Sequence, residues 1–414
     1  MDRDSLREIL DSPLDDERHP VRRWALGWGV AAVLTGAAVV IGIVVSSGSE
    51  GDLEGTRTTA AAAGERTTTI TLPGVVGYPE ARYLPGFTAM EAGAVMLFGT
   101  EPAGSLTGDL YDEAWEYEAA ADIWRRVITE PRPPTRFDFA AAYDSGAQRV
   151  VMFGGGVPPC FPQATSRISR SGARSCNEIL GDTWLFDPAT GAWEQPAPET
   201  SPSARSSHAM AYDPVAGRVV MFGGVNRAPG DDTIDYLADT WVYDTTAGTW
   251  TEASPGISPA PRAAHTMVYE AETGRVVLWG GLAVEEGPSL WAYDITANTW
   301  APIEADGGPD ESWDGTLVDV PGRGLVLLDG QGVTTYEIAE GVTSTGIRWR
   351  SAIWYLDLGT GEWSEREPPG DPVLFQAAAT DPSSGLVMVW SGDLTLRYDP
   401  ATDTWERGSS VAGG

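Results

Sequence analysis

The chain has 414 residues, of which 42% are hydrophobic, and this is enough apolar material to bury a sizeable core. Its formal net charge of −32 argues against nucleic acid as a partner, because phosphates would be repelled by so acidic a protein. The 49 glycines, 30 prolines and 17 tryptophans are typical of short strands joined by tight turns, and they disfavour long helices beyond the N-terminus.

The N-terminal region predicts a membrane anchor. Residues 24–45 carry no charge, and a helix of that length rises about 1.5 Å per residue and spans the hydrocarbon core. Arg18, Arg22 and Arg23 precede the segment, so the positive-inside rule places the N-terminus in the cytoplasm and the rest outside. Cleavage after the small residues at 46–49 is the alternative.

These features divide the chain into four parts. We predict a cytoplasmic tail at 1–23, a transmembrane helix at 24–45, a flexible linker at 46–67 and a folded domain at 68–410. The protein is then expected in the cell membrane as a single-pass protein, with its large domain extracytoplasmic.

Tryptophans recur in pairs nine positions apart along the domain, which indicates an internal repeat. An acid follows three positions after each first member, as expected for a strand that ends in an Asp-rich turn before the return strand begins. The pairs are Trp115 and Trp124, Trp184 and Trp193, Trp241 and Trp250, Trp291 and Trp300, Trp354 and Trp363, and a variant with Leu396 and Trp405.

A second strand pair precedes each of these hairpins, as in the segment 208–224, where apolar runs flank an Asp-Pro turn. The pattern predicts six units of four antiparallel strands, with the tryptophans filling the gaps between packed sheets. The units are expected to begin near Tyr83, Phe137, Ser206, Ala263, Ser312 and Leu374.

The repeat resembles the kelch family of β-propellers. The resemblance is carried by the Trp pairs, by an aromatic residue two positions after the first Trp in most units, and by the diglycines at 154–155, 223–224 and 280–281. It implies an all-β, six-bladed propeller that follows one transmembrane helix. Blades 1, 5 and 6 depart from the diglycine pattern. Trp405 is expected to pack in blade 6, and the strand at 67–72 to add an outer edge that joins the ends of the ring.

Candidate catalytic and metal-binding groups are sparse. The three histidines are His19 in the predicted tail and His208 and His265 at equivalent repeat positions, where a packing role is expected. Neither a cofactor nor a metal is predicted. The acidic loop with Asp231, Asp232 and Asp235 is interpreted as solvated, with calcium binding as the alternative.

Cys160 and Cys176 are the two cysteines, and they bracket one long loop of blade 2. Because this loop is predicted to lie outside the cytoplasm, we expect a disulfide between them.

Arginines cluster at the starts of the innermost strands and in the blade 2 loop. Guanidinium groups bind planar oxyanions, so this cluster predicts an anionic ligand over the channel mouth; the alternative is that each Arg pairs with a neighbouring acid or carbonyl. The candidate ligand-binding residues are Arg82, Arg136, Arg205, Arg262, Arg167, Arg170 and Arg174.

The function expected from these features is a membrane-anchored extracytoplasmic module that binds a glycan, peptide or protein, including an anionic glycan or peptide. The rival is a sugar-modifying enzyme on the same scaffold, since the resemblance includes propellers that act on sugars through acid and Arg side chains. A transmembrane sensor is the third hypothesis. Whether the protein is an enzyme stays open, with binding favoured.

Overall fold

The computed structural model divides the chain into two compact units, Met1–Ser46 and Ser47–Gly414. All of the first unit lies outside the described residues, and with it the predicted tail and the predicted membrane segment 24–45. The structure describes residues 54–59, 68–77, 79, 86–90, 93–97, 113–118, 121–127, 130–157, 178–227, 234–283, 287–309, 312–320, 322–339, 342–349, 352–366, 377–381, 384–391 and 394–410.

The described part of the second unit is built from antiparallel strands, as the alternation of β-branched and aromatic residues predicts. It contains no helix long and apolar enough to cross a membrane. Its six main sheets follow one another along the chain.

The first sheet has six strands in the order β1-β2-β6-β5-β4-β3. Its strands are β1 (Glu54–Thr59), β2 (Thr68–Gly77), β3 (Gly86–Met90), β4 (Gly93–Leu97), β5 (Ala114–Glu118) and β6 (Ile123–Val127).

Blade 2 is the four-stranded sheet β7-β8-β11-β12, and β9 pairs with β10 beside it. The strands are β7 (Ala140–Asp144), β8 (Arg149–Phe153), β9 (Gly156–Val157), β10 (Glu178–Ile179), β11 (Thr183–Asp187) and β12 (Ala192–Glu194).

Blade 3 is the sheet β13-β14-β17-β18, with the pair β15-β16. The strands are β13 (Ala209–Asp213), β14 (Arg218–Phe222), β15 (Val225–Asn226), β16 (Asp235–Tyr236), β17 (Thr240–Asp244) and β18 (Thr249–Ala253).

Blade 4 is the sheet β20-β21-β23-β24, with the pair β19-β22. The strands are β19 (Arg262–Ala263), β20 (Thr266–Glu270), β21 (Arg275–Trp279), β22 (Leu282–Ala283), β23 (Leu290–Asp294) and β24 (Thr299–Pro302).

Blade 5 is the sheet β26-β27-β30-β31, beside the three-stranded sheet β25-β28-β29. The strands are β25 (Ser312–Trp313), β26 (Thr316–Val320), β27 (Gly324–Leu328), β28 (Gln331–Ala339), β29 (Val342–Trp349), β30 (Ile353–Asp357) and β31 (Glu362–Arg366).

Blade 6 is the sheet β32-β33-β34-β35. The strands are β32 (Ala377–Thr380), β33 (Val387–Trp390), β34 (Leu394–Asp399) and β35 (Thr404–Ser410).

The innermost strand of each sheet contacts the innermost strands of its neighbours: β3 contacts β7 and β32, and β7, β13, β20, β26 and β32 follow in turn. The all-β propeller prediction is therefore confirmed. The blade count is only partly matched, because five predicted units are regular four-stranded blades and the first belongs to the six-stranded sheet.

The N-terminal strand pairs where the sequence did not place it. Gly74–Gly77 of β2 pairs with β6, so the added edge lies on the first sheet and not across the ends of the ring. β1 falls inside the predicted flexible linker 46–67 and pairs with the first half of β2, because both segments are rich in threonine, which favours strands.

The tryptophans pack between sheets, as the nine-residue step predicts. Trp250 lies in a cluster with Val151 and Phe153 of blade 2, and its indole N–H donates to Thr183 Oγ1 at 2.9 Å. Trp300 repeats the bond one blade later, to Thr240 at 3.0 Å. Trp124 of the first sheet bonds Thr395 of blade 6 at 3.2 Å and packs edge-on against Trp390, so the same device joins the first and last sheets.

Candidate functional site

A cavity of about 180 Å³ lies where the innermost strands begin, at one mouth of the central channel. All six main sheets contribute to its lining, and the side chains are mostly small. One residue from each sheet illustrates this, namely Gly86, Ala140, Ala209, Thr266, Gly315 and Ala377. None of the residues that line the cavity is Asp, Glu, Lys or Arg, so the lining is uncharged.

An arc of backbone hydrogen bonds frames the mouth. Ser207 N donates to Asp138 O at 2.7 Å, Ala264 N to Ser207 O at 2.8 Å and Asp314 N to Ala264 O at 2.9 Å. These four residues lie two positions before the innermost strands of blades 2 to 5 and have φ between 53° and 57°. A left-handed backbone costs about 1–2 kcal/mol per non-glycine residue, and such conformations persist where the surrounding structure fixes them. The rim is therefore a rigid frame.

Sequence reasoning missed this arc. Asp and Ser at these positions are compatible with turns, but alanine at 264 gives no local signal for a left-handed backbone. Only the alignment of the repeats against one another would have shown that the four positions are equivalent.

The structure places three predicted ligand-binding arginines inside the fold. Arg136 and Arg205 have no exposed surface and Arg262 is 3% exposed. Arg205 forms a two-pronged ion pair with Asp239, with both N···O distances at 2.7 Å, and also donates to the carbonyls of Gly223 and Ser203. The guanidinium groups of the three arginines hold in place the loop that precedes each innermost strand.

The equivalent pair in blade 2 follows the same design. Arg136 bonds the two carboxylate oxygens of Asp182 at 2.6 and 2.9 Å, and Trp184 Nε1 donates to the same carboxylate at 2.7 Å. Burial alone would raise the pKa of Asp182, but the hydrogen bonds and charge of Arg136 hold it below its ordinary value. The carboxylate therefore stays ionised and bound.

In blade 4, Ser289 stands at the position of the acid, and the Arg donates to backbone carbonyls. Arg262 donates to the carbonyls of Ala260, Gly280 and Pro288. The geometry of these three arginines thus matches the alternative of internal pairing, and it leaves their guanidinium groups no path to an anion over the mouth. Arg82, Arg167, Arg170 and Arg174 lie outside the described residues, as do Cys160 and Cys176.

His208 and His265 pack between blades. The ring of His208 meets Phe153 of the preceding blade edge-on at 5.7 Å, and His265 meets Phe222 at 5.6 Å. Burial, with the charge of Arg262, lowers the pKa of His265 to about 3. Burial likewise lowers the pKa of His208 well below its ordinary value, aided by Arg205 and His265. Both imidazole rings are therefore neutral, and they fill space between neighbouring blades.

The diglycines leave space for these imidazole rings. A Cβ on Gly224 would lie 2.8 Å from the Cβ of His208 and 2.7 Å from the carbonyl of Ser206, and the φ of Gly224 is +95°. Within the described residues, no group of three His, Cys, Asp or Glu side chains could hold a metal ion. Asp235 of the acidic loop is exposed in β16, while Asp231 and Asp232 lie outside the described residues.

The connections between the second and third strands of each blade lie on the same face as the mouth. In blades 2, 3 and 4 the described parts of these connections contain strands of only two residues, such as β9 and β10. Blade 5 differs, since β28 and β29 form a hairpin with strands of nine and eight residues. This face therefore combines a rigid rim with connections of unequal length.

Comparison with known proteins identifies a matching family and relatives that align with this chain over part of their length. Residues 65–257 and 215–409 match the KLHDC2/KLHL20/DRC7 Kelch-repeats domain. The chain is 24% identical over 322 residues to multiple epidermal growth factor-like domains protein 8 of Homo sapiens, covering 73% of this chain and 10% of that protein. It is 29% identical over 143 residues to dynein regulatory complex subunit 7 of Chlamydomonas reinhardtii, covering 34% of this chain and 10% of that protein. The aligned regions thus span about a tenth of each relative.

Proposed function

The chain belongs to the Kelch-repeats family, and we propose that its propeller is an interaction module that binds a protein or peptide over the channel mouth. One relative is named as a subunit of a complex, which fits a role in assembly. The observation that carries the proposal is a cavity whose lining has no charged residue, framed by the hydrogen-bonded backbone of residues 138, 207, 264 and 314. Variable loops on such a frame are suited to recognition.

A protein or peptide fits this mouth better than a small anion. Arg136, Arg205 and Arg262 are buried and bonded internally, whereas the cavity offers small neutral side chains and the channel-facing edges of the innermost strands. Backbone groups at such edges accept and donate hydrogen bonds to main-chain groups of a partner.

The proposal can be tested by blocking the cavity at the channel mouth with a large side chain. Peptides selected on the full-length protein from a displayed random library serve as probes. Thr316→Trp puts a large side chain into the cavity lining, and we expect it to weaken peptide binding by at least about tenfold. Ala247→Trp adds the same side chain to an exposed turn on the opposite face and is the matched control. Equal affinities for the two variants would contradict the proposal.

We further propose that the module is displayed outside the cell on the anchor at 24–45. The support is the uncharged run there and the arginines before it. Protease added to intact cells should remove the propeller while an epitope tag at the N-terminus stays protected. Protection of the propeller until lysis would place it inside the cell.

Whether Cys160 and Cys176 form a disulfide depends on whether this loop lies outside the cell. We propose that the two thiols are bonded in the exported protein, because both lie in one loop and the extracytoplasmic space is oxidising. Alkylation without reductant followed by mass spectrometry should find neither cysteine modified. Two alkylated thiols would remove the proposal.

A further inference from the structure

The blade 5 hairpin, β28 and β29, is the longest strand pair in the described part of the chain. Its base is anchored, because Gln331 and Gly332 of β28 also pair with β25. From Val333 onward, the described residues provide no further strand beside β28, and none beside the outer edge of β29. We call residues 333–347 the arm.

An isolated two-stranded ribbon is marginally stable in water, and each of its edges carries unpaired N–H and C=O groups. Folded proteins usually guard such edges with charged residues or proline. The outer edge strands of the six main sheets follow this rule. Their guards are Glu54 and Arg57 in β1, Glu194 in β12, Glu252 in β18, Pro302 in β24, Glu362, Glu365 and Arg366 in β31, and Glu406 and Arg407 in β35.

The edge strand of the arm has one charged residue, Arg348, and it lies at the base of the hairpin, beyond the arm itself. Residues 342–347 of β29 contain no charged residue and no proline, although the chain holds 59 acids and 30 prolines. Four of the six are Val, Thr or Ile, which have branched Cβ atoms, so the strand suits an extended conformation. It is an open template on the face that carries the channel mouth.

We infer that β29 is a docking edge, and that the occupant is an extended, uncharged or basic segment of a partner protein added as a third strand of the arm. This inference rests on the proposed interaction function and names how the partner is held. Main-chain hydrogen bonds along β29 supply the affinity in this mode of recognition.

Charge decides between a partner and a second copy of this chain. Two copies would bring together molecules that each carry a formal charge of −32, and like charges oppose association. A segment with basic flanks is attracted by the same field. The arm is therefore expected to pair with a partner and not with itself.

The probes are synthetic ten-residue peptides of alternating Val and Thr. One has Lys at both ends, one has Glu at both ends, and one has Lys ends with a central Pro that cannot donate a hydrogen bond. The Lys-ended peptide should bind the full-length protein at least about tenfold more tightly than either of the others. Equal binding of the three would overturn the inference.

A shortened arm separates this site from the mouth. Replacing residues 334–346 with Asn-Gly joins Val333 to Ile347, which are paired in the structure, through a tight hairpin turn. This variant should keep the melting temperature of the unmodified protein and lose the Lys-ended peptide, whereas Thr316→Trp should leave that peptide bound. If the shortened arm binds as before, the docking edge is wrong while the mouth proposal stands on its own test.

Hydrogen exchange supplies a readout that a nonspecific contact would not give. Alternate residues of β29 direct their N–H groups toward β28, so a third strand should slow exchange at every second amide between 342 and 349. Uniform protection, or none, would contradict strand addition. Concentration-dependent dimerisation that the shortened arm abolishes would show that a second copy is the occupant and would overturn the choice of partner.

Discussion

Blade 3 and blade 5 occupy equivalent places in the repeat and solve the same packing problem differently. Blade 3 begins with Arg205, which is locked to Asp239, and the ring of His208 fills the space beside it. Blade 5 has Ser312 and Gly315 at the positions of the Arg and the His, and Ala352 at the position of the acid. Blade 5 therefore lacks both members of the pair, so neither charge is left in a buried site without the other.

The far end of the innermost strands shows the same contrast. Tyr212 of blade 3 reaches the neighbouring turn, where it accepts from Gly146 N at 3.2 Å. Blade 5 carries Asp319 at the corresponding position, where its carboxylate accepts from Ala271 N at 3.3 Å and faces Glu270 and Glu272. Blade 3 is thus stabilised by matched charges, and blade 5 carries an unfavourable one.

The largest effect is expected where a buried guanidinium group pairs with a carboxylate. Arg205→Met leaves Asp239 without its partner, and breaking such a pair costs about 3–5 kcal/mol. Urea unfolding followed by tryptophan fluorescence measures the loss. Arg205→Met with Asp239→Leu should recover much of it, since the second change removes the orphaned carboxylate. A double variant no more stable than the single one would contradict the pairing argument.

A smaller, pH-dependent effect is expected from His265. Its pKa is about 3 in the folded state, below its ordinary value, so the unfolded chain binds the additional proton between about pH 6.5 and 3. Stability is therefore lost as pH falls through that window, by up to about 1.4 kcal/mol per pH unit for one group. His265→Leu should flatten the dependence of unfolding free energy on pH between 6 and 4. An unchanged slope would show that the ring is accessible to protons.

Asp319 should give the opposite sign. Burial, with Glu270 and Glu272, raises its pKa to about 6, so its contribution to stability is fully present below about pH 3.8 and is lost as pH rises through 6. Asp319→Asn should stabilise the protein at pH 7.5 by about 1 kcal/mol, allowing for solvent screening, and the gain should shrink at pH 4. Thermal melts at the two pH values check this, and a gain that is equal at both would contradict it.

The smallest effect is expected at Ser312. Its hydroxyl is buried and has no hydrogen-bond partner among the residues that the structure describes. Ser312→Ala removes that polar group, so stability should stay level or rise by up to about 1 kcal/mol. Chemical denaturation of Ser312→Ala and Arg205→Met under the same conditions compares their unfolding free energies directly. A loss above about 1 kcal/mol would mean that the hydroxyl is bonded.

The repeat, the strands and the packing role of the tryptophans could be predicted from the sequence because each depends on local spacing. Asp244 and Gly248 end one strand and turn the chain, and Trp250 must then return on the next strand at a fixed distance. The same reasoning failed for Arg205, because the spacing that places a guanidinium near the mouth does not say whether it points out or in. That depends on Asp239, 34 residues later, which only the folded sheet brings within 2.7 Å.

Sequence alone determined the fold class, the repeat unit and the acidic character of this protein, since periodicity and composition are properties of the chain itself. Tertiary structure decided the burial of the arginines, the pairing of β2 with β6, the hydrogen-bonded rim and the open edge of β29. Each of these depends on which blades become neighbours, and contacts between residues far apart in sequence are set by packing and not by local propensity.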